Sequence, residues 1–344
     1  MAEPKIKRAL VIGDGSWGTT LAVLIARNGI KCTLWSAFPE QAEELRSARE
    51  NKRFMPGLFL PREIEFTADP SRAAEGAELV ISVVPTQFLR AVALRFEDAL
   101  PGNMPIVSAT KGIEIETFRT PSQILVEVLG RRSICVLTGP SHAEEVAVQK
   151  PAAILAASHD QAFAQRVQSV LSSPTFRVYT HPDPFGAELA AALKNVIAIA
   201  AGISDGLELG DNAKAALLTR GMVEMARYGR ARGATTKTFF GLAGFGDLVT
   251  TCCSKHSRNR SVGEAIGRGQ KLEDVLANMK MVAEGVWTAK ALFGPEADLG
   301  DISMPIAEQV HAVLFEGKNP REAVLHLMSR TPTDEMDGVL GAEG

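Results

Sequence analysis

The feature that most constrains this chain is VIGDGSWGTTLA, Val11–Ala22, in which Gly13, Gly15 and Gly18 form G-x-G-x-x-G directly after an apolar run. An apolar strand entering such a turn and a helix leaving it form the context in which the pattern holds a dinucleotide. Gly13 permits the tight turn, Gly15 lets backbone approach a pyrophosphate, and Gly18 lets the helix pack closely on the sheet. The helix N-terminus adds N–H donors and the positive end of its dipole. Ser16 and Trp17 fill the two open positions, where the indole either covers the ligand or staples the helix to the next segment.

The chain around this turn has the rhythm of an open α/β sheet. Short apolar runs begin at Ala9, Cys32, Glu63, Glu78, Ile106, Ile134, Ala152 and Phe176. They are rich in Val and Ile and mostly unalternated, as strands covered on both faces should be. Helical stretches at Trp17–Asn28, Gln87–Leu100 and Gln161–Leu171 lie between them. This predicts a Rossmann-like, mostly parallel sheet. After Asp183 no strand pattern recurs, and helices are expected at Ala187–Ala201, Asn212–Gly229, Ser261–Gly267, Leu272–Ala277, Val286–Leu292 and Ile306–Leu314. The prolines of HPDP, His181–Pro184, mark the boundary. The expected domains are therefore 1–183, binding the dinucleotide, and 184–344, an all-helical substrate and catalytic domain. The tail from Asp337 to Gly344 reads as frayed.

Charge and cysteine usage exclude several function classes. With 37 basic and 40 acidic residues the formal net charge is −3, which gives no basic excess for nucleic acid or an anionic membrane. No run of about 18 apolar residues predicts a transmembrane helix. The N-terminus enters the first strand at once, so no signal peptide is expected. Cys32, Cys135, Cys252 and Cys253 have neither metal nor disulfide spacing, which points to a metal-free protein of a reducing cytoplasm. The vicinal pair Cys252–Cys253 reads as buried packing.

The end of the second strand leaves the choice of dinucleotide open. A carboxylate there would grip a ribose 2′-hydroxyl, and an arginine would suit a 2′-phosphate. The stretch LWSAFPEQ, Leu34–Gln41, carries neither at the expected place.

Ligands of doubly wound sheets gather outside the carboxyl ends of the strands. Lys111 follows one such strand in VSATKGIE, and Gly139, Ser141 and His142 follow another in LTGPSHAEE. Ser141 and Glu144 also fit a capping box. Farther on, Glu188–Gly202 is apolar nearly all round and reads as a buried helix with Gly202 as its C-cap. Its lysine, Lys194, lies on the side bearing Ala190, Ala191, Ala198 and Ala201. A lysine in such a setting either snorkels to water or loses pKa by desolvation and becomes an acid or base near neutral pH. Asn195 beside it can bond a ligand or a neighbouring carbonyl. GLAGFGDLVTTCCSKHSRNR, Gly241–Arg260, supplies Asp247 as a partner for Lys194, hydroxyls from Thr250 and Thr251, and a donor cluster around Arg258. An arginine among Ser and Asn is suited to capturing a phosphate.

Together GDGSWGTTLA, VVPTQ, SATKGIE, TGPSHAEEV, the Glu188–Leu217 segment, GLAGFGDLVTTC and SRNR resemble the bacterial NAD(P)-dependent sn-glycerol-3-phosphate dehydrogenases over essentially the whole chain. The resemblance implies reversible reduction of dihydroxyacetone phosphate to sn-glycerol 3-phosphate with NAD or NADP, supplying phospholipid synthesis. It implies Lys194 as the proton acceptor, supported by Asp247 and Thr251. Around the substrate it implies Lys111, Gly139, Ser141, Lys194, Asp247, Ser257, Arg258 and Asn259. Around the cofactor it implies, besides the three glycines, Ser16, Trp17, Phe38, Lys111, Ala143, Arg258, Val282 and Glu284. A helical second domain and a homodimer are implied as well. One departure stands out: members often carry Arg or His after strand two, where this chain has Ala37 and Phe38. Two other readings stay open on the residues alone, a related dehydrogenase of a hydroxy acid or sugar acid and a non-catalytic dinucleotide sensor.

Overall fold

The structure, a computed structural model, describes residues 6–279, 281–297, 299–336 and 338–339. The chain divides into two compact units, residues 1–110 with 121–184, and residues 111–120 with 185–344.

The first unit is built on strands β1 (Arg8–Ile12), β2 (Lys31–Trp35), β3 (Ile64–Thr67), β4 (Leu79–Ser82), β5 (Ile106–Ser108), β6 (Ile134–Thr138), β7 (Ala152–Ala157) and β8 (Phe176–His181). They form one sheet in the order β3-β2-β1-β4-β5-β6-β7-β8. Neighbours are parallel except β6 and β7, where Leu137 faces Ala156 in an antiparallel register. Helices α1 (Ser16–Arg27), α2 (Pro39–Ala48), α3 (Pro70–Ala74), α4 (Thr86–Leu94), α5 (Pro121–Leu129), α6 (Ala143–Ala147) and α7 (Gln161–Leu171) connect them.

Both faces of the inner strands are covered, which is why β1, β4 and β6 read as largely apolar runs. The edge strands β3 and β8 expose Glu65, and Arg177 and Tyr179, on one face. Alternate residues of β1 serve opposite faces: Ala9 and Val11 pack with Leu21 and Ile25 of α1, while Leu10 and Ile12 pack with Trp35, Leu89 and Phe96. β1 stands between β2 and β4, with Val11 opposite both Leu34 and Ile81. The strand order reverses there, and the crevice outside the carboxyl ends at such a switch is where doubly wound sheets bind ligands.

The second unit, among the described residues, is helical. It contains α8 (Pro184–Gly206), α9 (Gly210–Ala231), α10 (Thr236–Phe239), a π-turn (Leu242–Gly246), α11 (Asp247–Cys253) and α12 (Arg258–Gly267). It continues through α13 (Leu272–Ala277), α14 (Glu284–Leu292), α15 (Pro305–Phe315) and α16 (Pro320–Met328). Helix α8 is apolar and long enough to cross a membrane, but 94% of its most apolar window is buried inside the protein. Residues 111–120 join this unit; Ile113 packs with Ala192 of α8 and Ala291 of α14.

Several local expectations are corrected. Gly202 does not end α8, which runs on to Gly206. A Cβ at Gly202 would lie 2.0 Å from the Arg260 carbonyl oxygen, and one at Gly263 2.0 Å from that of Ile199. The glycine marks a backbone-to-backbone crossing of α8 and α12. The first proline after the strands does break β structure, but Pro184 also opens α8. Cys252 is buried and its thiol is pushed up to about 12 by burial, whereas Cys253 is exposed. The expectation for the tail lies outside the described residues at 337 and 340–344; Val339 is buried and its carbonyl accepts from Arg230 at 3.0 Å.

Candidate functional site

In the first unit the glycine turn has a shape that only glycine allows at two positions. Gly13 sits at φ 111°, and a Cβ at Gly18 would lie 1.9 Å from the Gly13 carbonyl oxygen. A Cβ at Gly15, in contrast, would meet nothing within 4 Å. Gly15 is the N-cap of α1 without a side-chain capping bond, and the first turn of α1 carries no acidic residue. Uncapped N–H groups, a positive helix end and open space beside Gly15 fit a pyrophosphate.

Around the turn, Ser16 Oγ donates to the Phe54 carbonyl at 3.0 Å. Trp17 lies 6.3 Å from Phe176, ring to ring, and packs on a cluster of Met55, Ala143 and Ala147. Of the two roles left open for the indole, stapling α1 is the one visible in this contact; its Nε1 is buried without a partner among the described residues. The Ala143 carbonyl accepts from Thr20 Oγ1 at 3.3 Å. Gly13 N–H donates to the Trp35 carbonyl at 3.1 Å, tying the turn to the end of β2. The next residue, Ser36, donates to Asp14 Oδ2 at 2.9 Å. Burial raises the pKa of Asp14, while the Ser36 bond lowers it less. Phe38, at the start of α2, is 54% exposed.

At the end of β6, Gly139 adopts φ 139° with Ile154 Cα 3.2 Å from where its Cβ would stand. The capping box expected of Ser141 does not form. His142 is the N-cap of α6, and Ser141 Oγ donates instead to the Gly139 carbonyl at 3.0 Å. With His142 as the N-cap, Ser141 stands one residue too early to cap α6.

In the second unit Lys194, Asp247, Thr251 and Lys111 converge. Helix α8 carries Lys194 into its packed side, where the residue is 5% exposed and Ala190, Ala191 and Ala198, one turn away along the helix, are buried as well. The π-turn brings Asp247 to the start of α11, and Thr251 lies one turn later. Lys194 Nζ donates to Asp247 Oδ1 at 3.0 Å and to Thr251 Oγ1 at 2.6 Å. Lys111 Nζ donates to the other oxygen, Asp247 Oδ2, at 2.7 Å. Snorkelling is thus excluded for Lys194, because its ammonium ends inside this network.

The electrostatics follow from burial and from the shared carboxylate. Desolvation lowers Lys194 to about 8, against the pull of Asp247 and with help from Lys111. Burial works to raise Asp247, but Lys111 and Lys194 outweigh it and hold the carboxyl below its ordinary range. Two cations on one carboxylate leave one positive charge in a nearly dry environment. A lysine so placed can give up and recover a proton near neutral pH.

The pairing of Lys111 with Asp247 was not anticipated. The residues are 136 positions apart, and no local pattern links them. Nor was the arrangement around Arg258. Ser257 caps α12, its oxygen accepting from Arg260 N–H at 3.2 Å. Arg258 Nη1 donates to the Val282 carbonyl at 3.1 Å. Asn259 Nδ2 donates to Asn195 Oδ1 at 2.9 Å, and its Oδ1 accepts from Gly285 N–H at 2.9 Å. Asn195 in turn donates to the Ala191 carbonyl at 3.1 Å, the carbonyl option of its two. Glu284 opens α14 immediately before Gly285. The two asparagines therefore fasten α8, α12 and α14 together at the place where Arg258 begins its helix.

Among the described residues no group of three or more His, Cys, Asp or Glu side chains is arranged to hold a metal ion.

Two family models match this chain. NAD-dependent glycerol-3-phosphate dehydrogenase N-terminus matches residues 8–164, and NAD-dependent glycerol-3-phosphate dehydrogenase C-terminus matches residues 183–325. The chain is 49% identical over 327 residues to glycerol-3-phosphate dehydrogenase (NAD(P)+) of Geobacter sp. (strain M21), covering 94% of this chain and 97% of that protein. It is 47% identical over 329 residues to the protein of the same name from Chlorobium phaeobacteroides (strain BS1), covering 95% and 98%. The crystal structure of glycerol-3-phosphate dehydrogenase from Coxiella burnetii has a TM-score of 0.91 and 36% identity, over 95% of this chain and 100% of that one.

Proposed function

Since the chain belongs to the NAD-dependent glycerol-3-phosphate dehydrogenase family, we propose that it interconverts dihydroxyacetone phosphate and sn-glycerol 3-phosphate with NAD(H) or NADP(H). Reduction adds a hydride to the carbonyl carbon and a proton to its oxygen. When bound, the nicotinamide supplies or takes back the hydride. Gly13, Gly15 and Gly18 with the N-terminus of α1 hold the pyrophosphate, a role supported by the uncapped helix end and the open space at Gly15.

Lys194 moves the proton. As an ammonium it donates to the ketone oxygen during reduction, and as a neutral amine it takes the proton back during oxidation. The observation that carries this role is its buried Nζ, fixed at 3.0 Å from Asp247 and 2.6 Å from Thr251. Asp247 and Thr251 aim the amine, and Lys111 keeps surplus positive charge beside the oxygen that becomes negative. Arg258 takes the phosphate, joined by the Ser257 hydroxyl, which accepts from Arg260 and still has its own O–H to donate. Asn259 acts by holding that segment, since its Oδ1 and one N–H are already engaged. A fixed phosphate orients a small substrate and lowers the entropy cost of reaction. The substrate roles of Gly139 and Ser141, and the cofactor roles of Ser16, Trp17, Phe38, Ala143, Val282 and Glu284, rest on the family resemblance. So do a homodimer and a cytoplasmic place in phospholipid precursor supply.

The test is loss of absorbance at 340 nm with dihydroxyacetone phosphate, using NADH and NADPH in parallel, for wild type and Lys194→Ala. The expected result is turnover by wild type and a fall of about 10²- to 10⁴-fold in the variant, the usual worth of a general acid. Cofactor binding without oxidation by the wild type would overturn the substrate assignment and point to a hydroxy acid.

A further inference from the structure

The sequence has no carboxylate and no arginine just after β2, yet the structure brings an arginine there from elsewhere in the first unit. Arg95, at the C-terminal end of α4, places its guanidinium carbon 4.6 Å from the centroid of the Trp35 ring. Its Nη1 donates to the Ala37 carbonyl at 3.3 Å. Trp35 is a rigid platform for it: the residue is 1% exposed, its Nε1 donates to the Ala68 carbonyl at 3.0 Å, and Phe96 meets it edge-on at 5.0 Å. The carbonyl of this same Trp35 receives the N–H of Gly13. Arg95, the end of β2 and the glycine turn are thus linked through a single residue.

Arg95 is exposed, and no carboxylate among the described residues pairs with it. A guanidinium has five N–H donors, of which the Ala37 carbonyl takes one. Stacking on an indole orients the planar fork and leaves its edge for an anion. Asp14, the carboxylate of the glycine turn, is half-buried and receives the hydroxyl of Ser36. In doubly wound dinucleotide folds the end of the second strand is where the adenosine ribose lies, and an arginine there accommodates a 2′-phosphate.

The geometry points to Arg95, held on Trp35 and Ala37, as the residue that recognises the 2′-phosphate of NADP(H) in place of a side chain at positions 37 or 38. This rests on the dinucleotide reading of the glycine turn. It makes Arg95 a determinant of cofactor choice and separates that choice from the proton-transfer residues.

Binding of the fragments 2′,5′-ADP and ADP, and of NADPH and NADH, to wild type, Arg95→Ala and Arg95→Lys tests this without turnover. Wild type should prefer the 2′-phosphorylated member of each pair. Arg95→Ala should weaken 2′,5′-ADP and NADPH by about ten- to a hundredfold, the worth of charge-assisted hydrogen bonds. ADP and NADH should stay within about twofold, and Arg95→Lys should recover part of the loss as a point charge without the fork. Equal loss for all four ligands would make Arg95 a prop for Trp35 and overturn the assignment. Equal binding of each pair by the wild type would also overturn it, leaving the ribose to Asp14. Failure of ADP itself to bind would remove the dinucleotide reading and Arg95 with it, whereas lost discrimination with ADP still bound removes Arg95 alone.

Discussion

Lys194 and Asp247 form a buried ion pair at 3.0 Å, and the carboxylate is not exclusive to that lysine. Lys111 holds its second oxygen at 2.7 Å. Burial sets most of how readily Lys194 gives up its proton, and the shared carboxylate with its second lysine adjusts it. With Lys194 lowered to about 8, mainly by burial, reduction should slow as pH rises through that value, because the acid is lost. Oxidation should speed up over the same interval, because the base is gained. Removing the positive charge in Lys111→Met should move both limbs to higher pH, since Lys111 contributes to lowering Lys194. Profiles of kcat against pH in the two directions, for wild type and this variant, measure the displacement. A limb that stays in place would show that Lys111 does not act on Lys194.

Arg258 begins α12, and its guanidinium reaches the Val282 carbonyl at 3.1 Å. A charge-assisted bond to a phosphate is worth roughly 1.5–3 kcal/mol, so Arg258→Ala should lower kcat/KM for dihydroxyacetone phosphate by about ten- to a hundredfold. The loss should fall on KM more than on kcat, because the phosphate stays bound through the reaction. Unphosphorylated dihydroxyacetone, turned over far more slowly, should be insensitive to the change. Steady-state kinetics with both substrates separates the two; equal losses would place Arg258 outside phosphate recognition.

Much of the fold was legible because the inner strands of the sheet are buried on both faces. They had to be apolar runs, and each such run is visible without knowledge of its neighbours. The edge strands β3 and β8 show instead as β-branched and aromatic stretches with one exposed face. Lys194 was legible for a related reason: a lysine in an otherwise apolar helix cannot be buried without a partner. What escaped depended on contacts remote in sequence. Gly202 obeyed the local rule for a C-cap, but the approach of α12 gave the missing Cβ another purpose. Ser141 had the spacing of a capping box, yet its hydroxyl met the Gly139 carbonyl. Helix α16 has a local start signal, Asn319 capping the Arg321 N–H with Pro320 in the first turn, but only one buried side chain, Ala323, so no buried apolar stripe marks it. Arg95 is an ordinary surface-type residue in its own segment, and Lys111, though marked by its place after a strand, carries no local sign of its partner; only the folded chain brings them to Trp35 and Asp247.

Two alanine substitutions in the glycine turn should separate folding from binding. Gly18→Ala drives a Cβ to 1.9 Å from the Gly13 carbonyl oxygen, a backbone atom that cannot step aside. Strain of this size should cost about 2 kcal/mol or more and disturb α1 where it packs on the sheet. Gly15→Ala adds its methyl to open space and should leave stability nearly unchanged, while obstructing the approach of a pyrophosphate. Urea denaturation combined with NADH binding should therefore show an unstable Gly18→Ala and a stable but weakly binding Gly15→Ala. Normal NADH affinity in Gly15→Ala would place the pyrophosphate elsewhere.

Glu224 gives the second unit a pH dependence of its own. It lies in α9 at 2% exposure, and its carboxylate accepts the N–H groups of Ile306 and Ala307, each at 2.8 Å, at the start of α15. Burial pushes its pKa up to about 7, against the pull of those two N–H groups and of Arg227. The unfolded carboxyl titrates near 4.5, so between about 4.5 and 7 the folded protein binds more protons than the unfolded one. Stability from this group is therefore complete below about 4.5 and is lost as pH rises through about 7. Over the full window the loss is on the order of 3 kcal/mol. Glu224→Gln keeps one acceptor for the helix end but cannot ionise, so its stability should decline less between pH 5 and pH 7.5. Urea midpoints of the two proteins at both pH values give the comparison, in which titration of all other groups cancels. A difference that does not vary with pH would mean that Glu224 stays ionised throughout, with the two N–H groups outweighing its burial.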